Sequence, residues 1–500
     1  MSTSTATSSA NPATPANPAT PATPGNPTAQ PPSGSASTPY RWRWLVLGII
    51  LCAEIMDLLD ATIVNLAATP IERALGGGSS TVQWVVGAYT LAFAVALVVG
   101  GRLGDKFGRK NLFVIGAAGF TVASLACAVA QDPTFLITAR VAQGFIGALL
   151  IPQGFGIMKE VFPPEDLGKA FASFGPVIGL SAVAGPLLGG VLVDADLFGL
   201  GWRVVFLINL PIGILAVVGA IRFIPRSTRQ ADLKLDPLGV ALLAAASLML
   251  IFPLIQGHEL DWPWWTFVLM AAAVPVFGLF GWHERHGAAP LIEPSLLRNR
   301  AYVSGVGVIM LGFAGMIGFS LVFNVFVQAV LGFSPLRAAF AGCAYALGMA
   351  VAAAVGSAVL VPRFGRRVLT IGFLTMMVGA GLMALTVQLT GLTAQAWQFL
   401  PAGFVFGIGG GLAIVPVFSI ILAGVSDREV GSASGLLNAL QQLGGTIGVA
   451  VSGTLFFELL AKGPLRAMEV TTLVAAVFVF GALILVQLLP RQARTDGTPG

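Results

Sequence analysis

The sequence predicts an all-α integral membrane protein, with two six-helix bundles and two extra helices inserted between them, fourteen transmembrane helices in all. Three observations predict it. Of the 500 residues, 56% are hydrophobic and only 10% are charged. Soluble domains carry about 25% charged residues, so most of this surface must face lipid. Fourteen apolar runs approach the ~20 residues that cross a ~30 Å hydrocarbon core as helix. One basic turn recurs at corresponding places in the two halves.

The runs lie near 44–68, 83–101, 112–131, 134–158, 168–193, 203–224, 237–256, 264–282, 302–327, 337–361, 368–389, 398–422, 434–457 and 470–489. The stretches between them are too short for a sizeable extramembrane domain. Residues 1–40 form a loose NPATPA repeat of Pro, Ala, Thr, Ser and Asn with no charge and no visible signal peptide. Such a composition cannot bury enough apolar surface to fold and reads as a disordered tail. The expected domains are the tail 1–40, a bundle at 41–224, a two-helix linker at 225–300, a second bundle at 301–489 and a tail at 490–500.

Lysine and arginine set the orientation. With the N-terminus cytoplasmic, 21 of the 27 basic residues fall in inside loops and tails, the others being Arg73, Arg140, Arg203, Arg337, Lys462 and Arg466. That bias places both termini in the cytoplasm and requires an even number of spans. All nine tryptophans lie near span ends, where amphipathic rings settle. The +5 charge is therefore a topology signal, and no nucleic-acid partner is expected. Cys52, Cys127 and Cys343 sit inside apolar runs without ligand spacing, so neither a disulfide nor a metal site nor a cofactor is expected.

The repeat is specific. Lys106-Phe107-Gly108-Arg109-Lys110 follows span 2, and Arg363-Phe364-Gly365-Arg366-Arg367 follows span 10, a shift of 257 residues. Transporters built from repeated halves place their site near the bilayer midplane, between the halves.

The chemistry concentrates in span 1. Glu54, Asp57 and Asp60 recur every three residues and share about one third of the helix circumference. An acid at the bilayer centre costs roughly 3 kcal/mol or more, so these face the bundle interior or a water-filled cavity. A carboxylate is neutral with its proton and anionic without it, which suits a proton carrier; a structural acid paired with arginine is the alternative. Arg140 is the basic residue within span 4, in Arg140-Val141-Ala142-Gln143-Gly144. A buried guanidinium keeps its charge and must be paired, with the span-1 acids or with backbone carbonyls. Between spans 2 and 3, Gly101, Gly104 and Gly108 permit a tight turn. There Asp105 is expected to cap span 3 and to pair with a cation of the opposing half as a latch, beside Arg109. Span 5 carries Gly185-Pro186-Leu187-Leu188-Gly189-Gly190, a bent helix open to close approach by neighbours.

Taken together, these residues resemble the major facilitator superfamily, and within it the fourteen-span drug:proton antiporters of the EmrB/QacA type, over about residues 44–490. Leu59-Asp60-Ala61-Thr62-Ile63-Val64-Asn65 is similar to the family's span-1 motif. Gln83-Trp84-Val85 with Tyr89, then Gly101 through Lys110, is similar to its span-2 and loop motif. Arg140, Gln143 and Gly144 match the span-4 motif, and Gly185, Pro186, Gly189 and Gly190 the antiporter motif, with Ser181 where that motif has glycine. Trp202-Arg203 and Phe206 through Gly213, then Pro290-Leu291-Ile292, Gly332 through Pro335 and Gly435 through Gly445, add family-like stretches.

The resemblance implies a monomer in the cytoplasmic membrane of a bacterium. It implies export of hydrophobic or cationic drug-like compounds in exchange for protons, by alternating access. Candidate cavity residues are Asn65, Trp84, Tyr89, Phe323, Gln328, Asn438 and Gln441. An exporter of one metabolite, such as an antibiotic or siderophore, would use the same machinery. An importer is disfavoured by the span-5 motif. An intramembrane enzyme would need histidine clusters or a nucleophile within the spans, and no span interior contains a histidine.

Overall fold

The computed structural model describes residues 40–226, 236–287, 294–422, 425 and 430–489. The expected tails at 1–40 and 490–500 lie outside them, save Tyr40. The long helices are α1 Arg43–Leu75, α2 Gly78–Phe107, α3 Arg109–Ala128, α4 Pro133–Val161, α5 Phe174–Asp194, α6 Gly201–Phe223, α7 Pro237–Gln256, α8 Trp264–His286, α9 Arg300–Val330, α10 Pro335–Val355, α11 Arg366–Thr390, α12 Leu400–Leu422, α13 Val430–Leu460 and α14 Pro464–Val486.

Among the described residues, twelve helices are long and apolar enough to cross a membrane. Helices α1 and α5 are not among the twelve. At 33 residues α1 is long enough, but Glu54, Asp57 and Asp60 stand in its middle. Helix α5 is 21 residues long and carries no charge before Asp194, its last residue. At the end of α8 the helix runs past the expected 282 to His286, which brings Glu284 into the span, 1% exposed.

The packing repeats with a shift of eight helices. In the first half α1 packs on α5 and α6, α2 on α4, and α3 on α4 and α6. In the second half α9 packs on α13 and α14, α10 on α12, and α11 on α12 and α14. The halves then cross symmetrically, α2 on α13 and α5 on α10. The repeated basic turn puts a glycine of positive φ at the same joint in both places. Gly108 (φ +92°) ends α2 directly before α3, and Gly365 (φ +53°) stands directly before α11. A side chain at either φ would be strained, so glycine is needed at both joints.

Bonds between the halves gather at the Leu75 end of α1. Gln328 donates to the Leu66 carbonyl (3.1 Å), and Arg73 donates to the Gln328 carbonyl (3.0 Å). Asp194 accepts from the Ser334 hydroxyl (2.6 Å) and the Leu336 amide (3.2 Å). Nearer the middle, the Thr90 and Thr446 hydroxyls meet at 2.7 Å.

The hairpin α7–α8 touches both halves through α7, which packs on α2 and α13. Glu259, in its turn, accepts from the Ser80 amide (2.7 Å), the Ser80 hydroxyl (2.7 Å) and the Ser79 hydroxyl (3.2 Å) at the start of α2. A carboxylate there meets unpaired amides and the positive end of the helix dipole. Trp84 donates to Gln256 (3.2 Å), and Thr454 of α13 donates to the Leu254 carbonyl (2.5 Å).

Candidate functional site: a buried charge network on the first six helices

Five side chains from four helices form one network, each at most 1% exposed. Arg140 Nη1 donates to Asp60 Oδ2 (2.5 Å). Gln143 Nε2 and Asn209 Nδ2 each donate to Asp60 Oδ1 (2.9 Å). Ser124 accepts from Gln143 (2.8 Å) and from Asn209 (3.2 Å). The rest of the guanidinium is also engaged. Its Nε donates to the Val85 carbonyl (3.0 Å), Nη1 also reaches Gln143 Oε1 (2.8 Å), and its carbon lies 4.2 Å from the Tyr89 ring centroid.

The local sequence explains the arrangement. Arg140 and Gln143 are three residues apart on α4 and so project from one face. Gly144, the next residue, lets α4 approach α2 until a Cβ there would strike the Tyr89 carbonyl. On α1, Gly185 and Gly189 of α5 press against Thr62 and Ile63, while Gly190 lies against Leu336 and Ala339 of α10. The span-5 glycines thus seat α5 between the halves.

Asp57 lies one turn before Asp60 and is 5% exposed. The Tyr89 hydroxyl donates to it, and Gly147 lines its other side. Glu54, a further turn away, is half-buried. The two span-1 acids are therefore held differently. Asp60 accepts from three donors, one of them a cation, whereas Asp57 accepts from a single phenol.

The expected latch is corrected by the structure. Asp105 accepts from Arg109 of its own half (2.9 and 3.1 Å), and Arg109 also pairs with Glu160 at 3.7 Å. It does not cap α3, which Gly108 precedes without a side-chain bond. The turn at Gly108 brings Arg109 back to Asp105, and among the described residues this short-range pair forms in place of one across the halves. Gly104 lets Gln153 of α4 reach the Gly100 carbonyl (2.8 Å).

A family model, Major Facilitator Superfamily, matches residues 50–449 and again 305–499. The chain belongs to the Major Facilitator Superfamily. This superfamily member is a transporter, not an enzyme. It is 50% identical over 86% of its length to 76% of a probable actinorhodin transporter of Streptomyces coelicolor. A puromycin resistance protein of Streptomyces alboniger is 35% identical over 84% of this chain and 83% of its own. A tetracenomycin C resistance and export protein of Streptomyces glaucescens is 32% identical over 86% and 79%. Among solved structures, a D-xylose–proton symporter superposes with a TM-score of 0.62 over 90% of this chain and 98% of that one, at 14% identity. The last comparison concerns the fold alone, which is the major facilitator fold.

The candidate cavity residues of this superfamily member do not converge on one pocket. Asn65 donates to the Ala61 carbonyl (2.9 Å), and its buried Oδ1 has no hydrogen-bond partner among the described residues. Gln328 is spent on the closure at the Leu75 end. Phe323 stacks among aromatics, 5.4 Å from Phe399 and 6.1 Å from Phe319. Trp84 lines a cavity of about 600 Å³ between α2, α4 and α7, away from the Asp60 network. Asn438 and Gln441 are half-buried on one face of α13. Sequence reasoning assigned no role to Ser124 and Asn209. Asn209 stands in the family-like FLINLPIG stretch and was findable there; Ser124 is one serine in an apolar run, with no signal of its own.

Proposed function

We propose that this protein exports small antibiotic-like compounds across the cytoplasmic membrane in exchange for protons, by alternating access. Export of such compounds is supported by the names of three relatives, which refer to transport or resistance for actinorhodin, puromycin and tetracenomycin C. The observation that carries the proton reading is the unequal holding of Asp57 and Asp60. Protonating Asp60 would sacrifice a bond from Arg140 at a carboxylate that accepts from three donors. Protonating Asp57 disturbs one bond from Tyr89. We therefore assign the travelling proton to Asp57 and a fixed, orienting charge to the Asp60–Arg140 pair. Loss or gain of charge at Asp57 is felt one turn away by that pair, which ties α1 to α4 and α6.

The cycle reads as follows. Closure at the Leu75 end corresponds to a state open toward the basic, cytoplasmic end, where substrate enters. Opening of the Leu75 end releases substrate and admits a proton to Asp57, and return to the closed state releases the proton inward. Fourteen crossings, arranged as two six-helix bundles with α7 and α8 between them, accommodate this motion in a monomer with both termini cytoplasmic. The energy suffices. One proton moving down about 100 mV and about half a pH unit yields ~3 kcal/mol, or a roughly hundredfold gradient of solute.

Transport in everted vesicles tests the assignment, with surface yield matched between variants. Asp57→Asn is expected to abolish substrate-driven proton release while substrate still binds. If Asp57→Asn and Asp60→Asn both exchange substrate for protons at the normal rate, the span-1 acids are not the coupling site.

A further inference from the structure

The sequence places Tyr89 among the cavity residues, but the structure buries it, 1% exposed, between the two charged parts of the span-1 site. Its two ends meet different groups. The hydroxyl donates to Asp57, and the ring centroid lies 4.2 Å from the Arg140 guanidinium carbon. Arg140 in turn donates to Asp60. One side chain therefore joins Asp57 to the Asp60–Arg140 pair. Among the described residues no hydrogen bond joins them directly.

The packing holds the ring at this place. Gly144 brings α4 onto the Tyr89 carbonyl, and Phe93 and Phe120 lie beside the ring at 5.7 and 6.4 Å between centroids. The second half repeats the seat without the charges. There Gly407 brings α12 onto the Tyr345 carbonyl of α10, and Tyr345 packs on Phe406 at 5.9 Å. Among the described residues no acid and no base bonds to Tyr345. A tyrosine at this place serves helix packing in one half, and in the other it also bridges two charged groups.

We propose that Tyr89 is a positioning residue that passes the charge state of Asp57 to Arg140. With Asp57 ionised, its carboxylate holds the phenol, and the held ring presents its face to the guanidinium. A hydrogen bond to an ionised acceptor is about twice as strong as one to a neutral acceptor, so a proton on Asp57 loosens the phenol. The loosened ring makes a poorer cation–π contact, and Arg140 then leans more on Asp60, Gln143 and the Val85 carbonyl. Those bonds tie α4 to α1 and α2. The charged groups around Asp57 and Tyr89 are Glu54 and Asp60 of α1 and Arg140 of α4, while Cys127 of α3 meets Gln143 instead (3.5 Å). Of these, Arg140 is the charge on a helix other than α1, so a signal leaving α1 has to reach it. The inference rests on the proton reading of Asp57, and its test separates the two.

Infrared difference spectra of the full-length protein in lipid vesicles, recorded on lowering the pH, provide that test, with arginine carrying carbon-13 in the guanidinium. A carboxyl band absent from Asp57→Asn, or displaced in Asp57→Glu should the first variant not fold, reports the proton on Asp57. A guanidinium change that accompanies the band and is lost in Asp57→Asn reports the arginine that senses it. Tyr89→Phe keeps the ring and removes the hydroxyl. It is expected to keep the carboxyl band and to shrink the guanidinium change at least about twofold. Tyr345→Phe, at the equivalent seat, is expected to change neither. A tyrosine that only fills space would not separate the two signals. An undiminished guanidinium change in Tyr89→Phe, or an equal loss in Tyr345→Phe, overturns the relay and leaves the proton reading standing. Absence of an Asp57 carboxyl band from the wild-type spectrum overturns the proton reading and the relay with it.

Discussion

Arg140 is the residue on which the first half depends most. Its charge is nearly fully buried and is satisfied by one carboxylate, one carbonyl and one amide oxygen. Removing one member of a buried pair strands the other and costs about 3–5 kcal/mol, whereas replacing both with neutral groups of similar shape costs far less. Arg140→Ala is thus expected to lower the melting temperature steeply, and adding Asp60→Asn to restore much of the loss. Fluorescence-detected melting of the two single variants and the double gives the coupling. A double variant no more stable than Arg140→Ala would show that the pair is not what holds these helices. The acids and Arg140 were legible because charge inside an apolar run has few explanations. Their pairing was legible only as alternatives, and the choice of Asp60 over Asp57 was not. That choice depends on helix rotation and on Asn209 and Ser124 arriving from α6 and α3, which no local pattern encodes.

At the scale of elements, glycine sets how near the helices come. Gly144 faces the Tyr89 backbone, while Gly381 of α11 has open space where its Cβ would go. Forcing volume into a closed contact costs about 1–3 kcal/mol, and glycine to alanine in an open helix position gains up to about 1 kcal/mol. Gly144→Ala is therefore expected to destabilise the protein and Gly381→Ala to leave it unchanged or raise its melting temperature. Equal effects would mean that α2 and α4 are free to separate. The boundaries of the helices were largely legible, since hydropathy over ~20 residues is a strong signal. Two features were misread for one reason, that tertiary contacts are invisible in a window. Span 8 continues to His286 because Glu284 finds a buried place, and Asp105 turns to Arg109 across the Gly108 joint.

For the whole molecule, the eight-helix shift in packing extends the 257-residue echo of the basic turn from sequence to contacts. The closure at the Leu75 end is made of few bonds. Asp194 and Gln328 together supply three of them, each worth about 1 kcal/mol net. Losing ~2–3 kcal/mol shifts a two-state balance by roughly 30- to 150-fold. In a background with Cys52, Cys127 and Cys343 replaced, the double variant Asp194→Ala, Gln328→Ala is expected to expose a cysteine placed at Asn65. The reagent is an impermeant maleimide added from the Leu75 side. No rise in labelling would mean that these bonds do not hold the end shut.

The attachments of the α7–α8 hairpin have a consequence for timing. Three bonds to Glu259 and one to Gln256 fasten it to α2, and the Thr454 hydroxyl of α13 bonds to its Leu254 carbonyl. If the two halves rock as proposed, both fastenings cannot survive unchanged. With Glu259 holding the hairpin to the first half, α13 would slide past it once per turnover, making and breaking the Thr454 bond. That bond works as a small friction on the stroke, and its strength, set by one threonine, enters the rate of reorientation without touching either the substrate or the proton.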